Sequence, residues 1–348
     1  MKTFRSMMLV TAIVPLCGVL SHAQSNEPAG KIVHLKMGKS NTFHGLNLGV
    51  GTTTPGAASN AAPAAGYTFS TIDYPGSSAT VLYRIDNSGR IVGNYGPGVG
   101  ELFGTYGFLL HQGTFSPVNF PGALATAPFD LSPLDDVVGV FVDAGGNSHG
   151  FVLQAGTYTQ VDAPGAVGNT NLFAINRRRQ IVGCTFASSP PYYTSFLLDR
   201  GAFTTLPQYP GSLGTCADDI NNSGDIAGTW VRPDTDQTLG TFLLSGGTFT
   251  DLQAPLQGTT NCDLVNPFFF QYCNTLVGGL NDRGVMVGAY TANDGTAHGY
   301  LLRKGVWTTI DFPGAAATQL VGINDLGQIA GYYYDSGGAL HGFVATPQ

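Results

Sequence analysis

Three histidines stand at matching places of a repeated pattern: His149, His298 and His341 each begin a triplet of His, Gly and an aromatic residue. Imidazole nitrogens ligate metals and transfer protons, so a recurring histidine is a candidate for a metal or catalytic cluster. The repeats are interpreted below as the units of a closed ring. In such a ring, equivalent residues of different repeats lie far apart unless they line the central axis. The favoured prediction is structural: each imidazole packs in place and bonds to a neighbouring loop.

A second recurring set lies two residues before a Pro-Gly pair: Asp73, Asn119, Asp162 and Asp311. Such side chains commonly accept hydrogen bonds from their own turn backbone, which is the predicted role. The alternative is a ring of carboxylates around a cation. Ca²⁺ needs about six to eight oxygens, which single residues from separate repeats rarely supply. No metal, no cofactor and no catalytic residue is therefore predicted, and no GxSxG signature of a hydrolase occurs.

Aromatic side chains cluster in the loops of variable length and are the predicted ligand contacts. Clustered aromatics on loops suit the faces of sugars or of peptide side chains. The alternative is that these rings cap the fold or pack between its units. The candidates are the aromatics Tyr192, Tyr193, Trp230, Phe268, Phe269, Phe270, Tyr272, Tyr332 and Tyr333, together with Arg232.

The elements that must position these residues come from one pattern that recurs six times within residues 67–348. A first strand ends in Ile or Leu and usually Asn, as in LVGIND, and a second carries a mid-strand Gly, as in QIAGYY. A third strand contains Gly and an aromatic, as in HGFVA, and a fourth leads into a turn such as DFPG. Four strands in a period of about 45 residues are typical of a propeller blade.

The pattern is cut out of phase at its two ends. The last copy stops after its third strand, whereas a spare fourth strand, YTFSTIDYPG, precedes the first copy at residue 67. In a closed ring this N-terminal strand can complete the C-terminal blade. The predicted fold is therefore an all-β, six-bladed β-propeller of four-stranded blades, closed by the N-terminal strand.

Turn residues agree with this fold. The turns INNSG, LNDRG and INDLG begin with Asn and supply Gly where a left-handed residue is needed. The corresponding LSPLDD and INRRRQ lack that Gly and should be less ideal. The Gly within IVG predicts that another backbone approaches the second strand closely.

The repeats resemble a bacterial extracellular family named for a His-Ala-Phe motif, whose pattern reads INxxGxIVGxY followed by HAFLxxxGxFTxID. The resemblance covers residues 67–348 and implies an exported, propeller-like protein without an established activity. The other three copies read YGF, TSF and GTF, and none has the middle Ala. The matching triplets are His149, Gly150 and Phe151, then His298, Gly299 and Tyr300, then His341, Gly342 and Phe343.

The segment before the repeats differs in composition. Residues 1–23 have a basic start, an apolar stretch and a small-residue cleavage site, as in an export signal peptide, and residues 24–66 read as a flexible Gly-, Ala- and Pro-rich linker. Lipid attachment at Cys17 is the less favoured alternative. Four cysteines remain after the signal, and they could form two disulfides in three ways. The favoured arrangement pairs Cys262 with Cys273 and Cys184 with Cys216.

Charge and hydropathy limit the classes of partner that the protein is expected to bind. The net charge of −7 and the lack of a long basic stretch argue against nucleic acid, and no later segment is apolar enough for a membrane span. The predicted function is a secreted, extracellular or periplasmic, monomeric module that binds extracellular carbohydrate or protein. The alternative is a glycan hydrolase or lyase at one mouth of the axial channel. An enzyme would need titratable side chains from three or more blades to converge within hydrogen-bond reach.

Overall fold

The protein is all-β, as predicted. Every named element of the described chain is a strand, and no helix there is long and apolar enough to cross a membrane. The strands form two sheets of eight and two sheets of four. The computed structural model describes residues 66–96, 105–166, 168–233, 239–255, 275–293 and 295–348.

Antiparallel pairing groups the strands into successive sets of four, here called quartets, in which chain neighbours are sheet neighbours. The first quartet contains β2 (Ala79–Ile85), β3 (Ile91–Gly96), β4 (Tyr106–His111) and β5 (Thr114–Pro117). The second contains β6 (Ala125–Leu131), β7 (Val137–Val142), β8 (Ser148–Gln154) and β9 (Thr157–Val161). The third contains β10 (Thr170–Ile175), β11 (Ile181–Phe186), β12 (Tyr193–Asp199) and β13 (Ala202–Thr205).

The remaining quartets repeat this order, except that the fourth strand of the last quartet comes from the start of the described chain. The fourth contains β14 (Thr215–Ile220), β15 (Ile226–Val231), β16 (Leu239–Ser245) and β17 (Thr248–Leu252). The fifth contains β18 (Thr275–Leu280), β19 (Met286–Thr291), β20 (Ala297–Arg303) and β21 (Val306–Thr309). The last contains β22 (Ala317–Ile323), β23 (Ile329–Tyr334), β24 (Leu340–Pro347) and, as its fourth strand, β1 (Tyr67–Ile72).

The N-terminal strand pairs with the C-terminal one, as the repeat phase predicted. β1 runs antiparallel to β24, with Tyr67 opposite Pro347 and Ile72 opposite Gly342. The ring of Phe69 packs 5.6 Å from Phe312, which lies in the turn between β21 and β22. The first-synthesised strand therefore covers an edge that β24 would otherwise expose.

Apolar cores lie between adjacent quartets as well as within them. One cluster joins Leu82, Ile91 and Phe108 of the first quartet to Ala330 and Val344 of the last. Each of these side chains is buried. Burial of one large aliphatic or aromatic side chain contributes about 1.5–3 kcal/mol to the free energy of folding. Packing of one quartet on the next thus stabilises the arrangement.

A β-bulge interrupts the first strand of every quartet. The register shifts between Leu172 and Ala174, for example, and corresponding shifts occur in the other first strands. The mid-strand glycine of the second strand lies against this bulge: a Cβ on Gly183 would stand 1.9 Å from the carbonyl oxygen of Asn171. The predicted close backbone approach is confirmed, and the bulge is its cause.

The turns without glycine are less ideal, as predicted. Asp135 and Arg179 take the glycine position with φ of 67° and 61°, in the left-handed region that disfavours side chains. Gly224 and Gly327 hold the same place in other quartets with φ of 90° and 83°. The second and third quartets therefore carry local strain at this end of the sheet.

A related strain sits in the hairpin between β8 and β9. Ala155 is exposed and left-handed, with φ of 48°, in a two-residue turn completed by Gly156. We expect Ala155→Gly to raise the free energy of unfolding by about 0.5–1 kcal/mol, because glycine removes the Cβ clash at a smaller entropic cost. Denaturant unfolding measures the change. Ala202→Gly, in an exposed strand, is the control and should lower stability; a loss in both variants would contradict the prediction.

A disulfide joins the third and fourth quartets. Cys184 in β11 and Cys216 in β14 are bonded, with their Cα atoms 5.4 Å apart. This pairing was favoured from the sequence and is confirmed. Cys262 and Cys273 lie outside the described residues, and their pairing stays a prediction.

Candidate functional site

A funnel opens at the end of the quartets where the first strand turns into the second. The recess measures about 820 Å³ and draws residues from every quartet. Its walls are rich in Asn, Asp and Arg, and its floor is made by buried charged side chains. Concavity and polar lining make it the leading candidate for a ligand site.

The Asn that begins these turns has two tasks. In the fourth quartet, Asn221 Oδ1 accepts from the backbone N–H groups of Ser223 and Asp225, both at 3.0 Å, which fixes the turn. Its Nδ2 points the other way and donates to a carbonyl of the next quartet. These amide-to-carbonyl bonds run from Asn176 to Asn221 (3.2 Å), Asn221 to Asn281 (3.5 Å), Asn281 to Asn324 (3.0 Å) and Asn324 to Asp86 (2.9 Å).

The next residue of each turn adds a second run of bonds around the funnel. Here a backbone N–H donates to a side-chain oxygen of the following quartet. The bonds join Arg177 to Asn222 (2.7 Å), Asn222 to Asp282 (2.7 Å), Asp282 to Asp325 (2.9 Å) and Asp325 to Asn87 (2.8 Å). We call the two runs together the amide belt; it pre-organises the rim, because each turn is held by its neighbour.

The second quartet breaks the belt. Pro133 stands where the others carry Asn, Asp or Arg, so no side-chain oxygen is offered there. Two arginines of the adjoining quartets bridge the break: Arg90 pairs with Asp135, and Arg179 Nε donates to Asp136 Oδ2 at 2.6 Å. Near this break the rim therefore carries arginines paired with aspartates, whereas the fifth and last quartets contribute the carboxylates of Asp282 and Asp325.

The funnel floor is an ion bridge between three quartets. Arg84 Nε lies 3.0 Å from Asp130 Oδ1, and Arg84 Nη1 donates to Asp219 Oδ2 at 2.8 Å. These three side chains come from the first, second and fourth quartets and are buried. The convergence that an enzyme would require therefore exists at this mouth of the axis.

Both carboxylates are already engaged. Asp130 also accepts from the N–H of Leu131 at 2.7 Å and of Ile175 at 2.9 Å. Asp219 accepts from the N–H of Ile220 at 2.8 Å and of Leu280 at 2.5 Å. A general acid or base needs an oxygen free to exchange a proton with substrate. The geometry instead suits a bridge that fastens the quartets.

Burial sets the electrostatics of the bridge. It raises the pKa of Asp130 to about 6, and the Arg84 guanidinium offsets part of that shift. Burial alone would lower the pKa of Arg84, but Asp130 and Asp219 outweigh it and hold the pKa above its ordinary value. Arg84 therefore stays charged at any pH at which the protein folds.

The sequence interpretation missed this bridge. Arg84, Asp130 and Asp219 each precede the Ile or Leu that ends a first strand, directly after the bulge. The other copies carry Ala174, Gly279 and Gly322 there, so no repeated residue type marks the position. Charged residues inside otherwise apolar strand ends were the available signal.

The recurring histidines lie at the opposite end and pair with the recurring aspartates. This corrects the prediction that the aspartates bond their own turns: the end of the fourth strand lies beside the start of the antiparallel third strand, which brings the two sets together. Each imidazole also stacks near a second-strand ring, as His341 does on Tyr333 at 5.1 Å. The Nδ1 pairs are His149 with Asp162 (2.8 Å), His298 with Asp311 (2.8 Å) and His341 with Asp73 (2.9 Å).

The fourth quartet builds the same contact from other residues. Gly240 replaces the histidine, and a Cβ there would lie 2.4 Å from Trp230 Nε1, so the indole occupies the vacated space. Trp230 Nε1 donates to Asp251 Oδ1 at 3.2 Å, in place of the imidazole. A ring held by a fourth-strand carboxylate is thus a structural element of these quartets, in line with the predicted structural role of the histidines.

Among the predicted loop residues, Trp230 lies in β15 and Tyr332 and Tyr333 lie in β23 instead, and their rings are packed. Trp230 stacks on Tyr209 at 4.2 Å, with Arg232 5.0 Å from its ring, and Tyr333 stacks on Phe312 at 3.7 Å. Tyr332 is only 3% exposed.

Tyr192 and Tyr193 are half-buried against apolar clusters at the opposite end of the axis from the funnel. The ligand role of these aromatics stays a prediction. Phe268, Phe269, Phe270 and Tyr272 lie outside the described residues. Across the described ranges no three His, Cys, Asp or Glu side chains are placed to hold a metal ion.

Comparison with known proteins gives the fold. No protein-family model and no curated protein matches the sequence. A putative TolB from Agrobacterium tumefaciens matches with a TM-score of 0.50 and 10% identity, over 76% of this chain and 88% of that one. This likeness and the quartet topology identify a β-propeller.

Two further structures match with lower TM-scores. AofleA from Arthrobotrys oligospora matches with a TM-score of 0.49 and 12% identity, over 80% of this chain and 86% of that one. The fucose-specific lectin from Aleuria aurantia matches with a TM-score of 0.45 and 9% identity, over 76% and 89%. At these identities no binding residue can be transferred to this chain.

Proposed function

We propose that the protein is an exported, six-bladed β-propeller that binds a polar extracellular ligand, a carbohydrate or a segment of protein, in the funnel. The observation that carries this proposal is the funnel itself, a recess of about 820 Å³ at the meeting point of the quartets. Small-molecule sites are typically concavities of about 300–1,000 Å³ with a few fixed polar groups. Its size and lining both fit that description.

The amide belt supports the choice of a polar ligand. Amide, carboxylate and guanidinium groups surround the opening, and they hydrogen-bond hydroxyl or peptide groups. Because Asn222, Asp282 and Asp325 are already tied to their neighbours, a ligand meets them in fixed positions. Pre-organisation lowers the entropy that binding must overcome.

Export and closure belong to the same proposal. The sequence of residues 1–23 and the Cys184–Cys216 disulfide support an oxidising compartment outside the cytoplasm. The pairing of β1 with β24 supports a closed ring of six blades, and the repeat motifs support membership of the His-Ala-Phe repeat family.

A glycan array and a library of extracellular peptides, probed with the purified protein, test the proposal. We expect a hit in one of the two, and Arg177→Glu should weaken it about tenfold or more, because it reverses an exposed charge lining the funnel. Arg200→Glu, an exposed arginine that does not line the funnel, is the matched control. Tyr192→Ala reports on the predicted loop contacts. Silence in both libraries, or equal loss in Arg177→Glu and Arg200→Glu, would refute the funnel as the site.

A glycan hydrolase or lyase is the second candidate, favoured by one observation: Arg84, Asp130 and Asp219 converge at the funnel floor. Their full set of hydrogen bonds weighs against it. Incubation with labelled polysaccharides separates the two. Binding without turnover supports the module, whereas turnover that Asp130→Asn abolishes would replace it with the enzyme.

A further inference from the structure

A second, smaller cavity lies on the axis beneath the funnel floor. It measures about 50 Å³, and Arg84 lines it as well as the funnel. The bulges of the first strands supply much of its wall, since the residues that they displace from the pairing face one another there. These are Tyr83, Phe129, Phe173, Asp218, Gly278 and Val321.

Asp218 is the unusual member of this wall. Its side chain is buried, with the residue only 8% exposed, and Oδ2 accepts from Thr229 Oγ1 at 2.9 Å. Its Oδ1 is buried without any hydrogen-bond partner. An unmatched buried carboxylate oxygen costs free energy, because it has lost its water and gained nothing in return.

A count of the buried charges also shows that Asp218 lacks a compensating positive charge. Three carboxylates, Asp130, Asp218 and Asp219, are buried around this part of the axis against one guanidinium, Arg84. The ion pairs of Arg84 go to Asp130 and Asp219, and none joins it to Asp218. Burial raises the pKa of Asp218 to about 8. Either a proton or a bound cation can relieve this charge.

The cavity wall favours a cation. The rings of Tyr83 and Phe129 meet edge to face at 4.9 Å, and Phe173 lies 5.4 Å from Phe129. Aromatic faces attract cations. Gln319 also lines the cavity, and its Oε1 accepts from the Tyr332 hydroxyl at 2.6 Å. A water needs about 10–15 Å³ measured in this way, so the space holds one small ion with a few waters.

A divalent ion fits this wall less well. Ca²⁺ takes about six to eight oxygen ligands, several of them carboxylates, and Asp218 is the one carboxylate that lines the cavity within the described residues. A single charge balances a single carboxylate. The chemistry therefore selects a monovalent ion.

We propose that the axial cavity beneath Arg84 binds one small monovalent cation, of the potassium or ammonium class, against Asp218. The ion compensates the third buried carboxylate and ties the fourth quartet to the aromatic side chains of the first three. It stabilises the propeller axis independently of any ligand in the funnel.

Thermal unfolding of the full chain in different chloride salts tests the site. At about pH 9, above the pKa of Asp218, and at constant ionic strength, potassium or ammonium should raise Tm by at least about 2 °C over tetramethylammonium, saturably. Tetramethylammonium carries the same charge, but its four methyl groups keep that charge away from Asp218 Oδ1. Equal Tm values in all the salts would overturn the proposal, because the ionised Asp218 would then be buried without an ion.

Two variants make the test specific. Asp218→Asn keeps the shape of the side chain and should abolish the difference between the salts. Asp311→Asn, which changes a carboxylate at the opposite end, should retain it. A difference that persists in Asp218→Asn would also overturn the proposal.

A direct readout does not depend on how well the variants fold. Crystals of the unaltered protein grown in rubidium chloride should show one anomalous peak in the cavity beside Asp218. A cavity without a peak would contradict the assignment.

Discussion

A chain that lacks residues 67–76 should unfold about 10–20 °C below the full protein. The deletion removes β1, and with it Phe69, Ile72 and Tyr74, which pack against the last and first quartets. Loss of these three side chains costs roughly 5 kcal/mol or more, and each kcal/mol lowers Tm by about 2–4 °C in a domain of this kind. The edge of β24 is exposed as well, which favours aggregation.

Circular dichroism melting of two truncations measures this effect. Removal of residues 24–60, which precede β1, is the matched control and should leave Tm unchanged. If both truncations melt together, the N-terminal strand does not close the structure. A point variant gives a graded version: Phe69→Ala should lose about 3 kcal/mol or more while β1 keeps its backbone pairing.

Replacement of Arg84 by Met should lower the free energy of unfolding by about 3–5 kcal/mol, because Asp130 and Asp219 are then left buried without their cation. Denaturant unfolding measures the loss. Arg200→Met is the control: its side chain is 93% exposed, and the change should stay within about 0.5 kcal/mol. Equal effects of the two substitutions would refute the bridge.

The loss in Arg84→Met should grow with pH. Burial already raises the pKa of Asp130 to about 6, above its unfolded value, and removal of the guanidinium raises it further. A carboxyl with a raised folded-state pKa stabilises the fold at low pH, and this contribution is lost as pH rises through that pKa. The deficit should therefore be smaller near pH 5 than near pH 8. Adding Asp130→Asn and Asp219→Asn to Arg84→Met should remove this dependence.

Much of the fold was predictable because its cues are local and repeat. The side chain of Asn221 fixes its turn within four residues, and Gly224 takes the left-handed position, so INNSG reads as a turn wherever it occurs. Cys184 and Cys216 were paired from their places in neighbouring copies. The strand at residue 67 was assigned from the phase of the repeat alone.

The site was less predictable because it depends on differences between the copies. Arg84 meets Asp130 and Asp219 across the axis, and pattern matching discards such unlike residues. The pairing of histidines with aspartates had a visible signal: both His149 with Asp162 and His298 with Asp311 are 13 residues apart. That constant offset places them on adjacent antiparallel strands.

The ion bridge at the funnel floor also has a consequence for how this repeat array can evolve. Across quartets, each side-chain amide of the belt bonds only to the turn of the following quartet. A duplicated copy could therefore be added to the belt at any point. Arg84, by contrast, must reach both Asp130 and Asp219, and its fixed length limits the diameter of the axis. An inserted copy would carry Asp219 out of reach and leave two carboxylates unmatched. The bridge therefore ties the stability of the fold to the present number of copies, because an array with an added copy would lose the ion pair of Arg84 with Asp219.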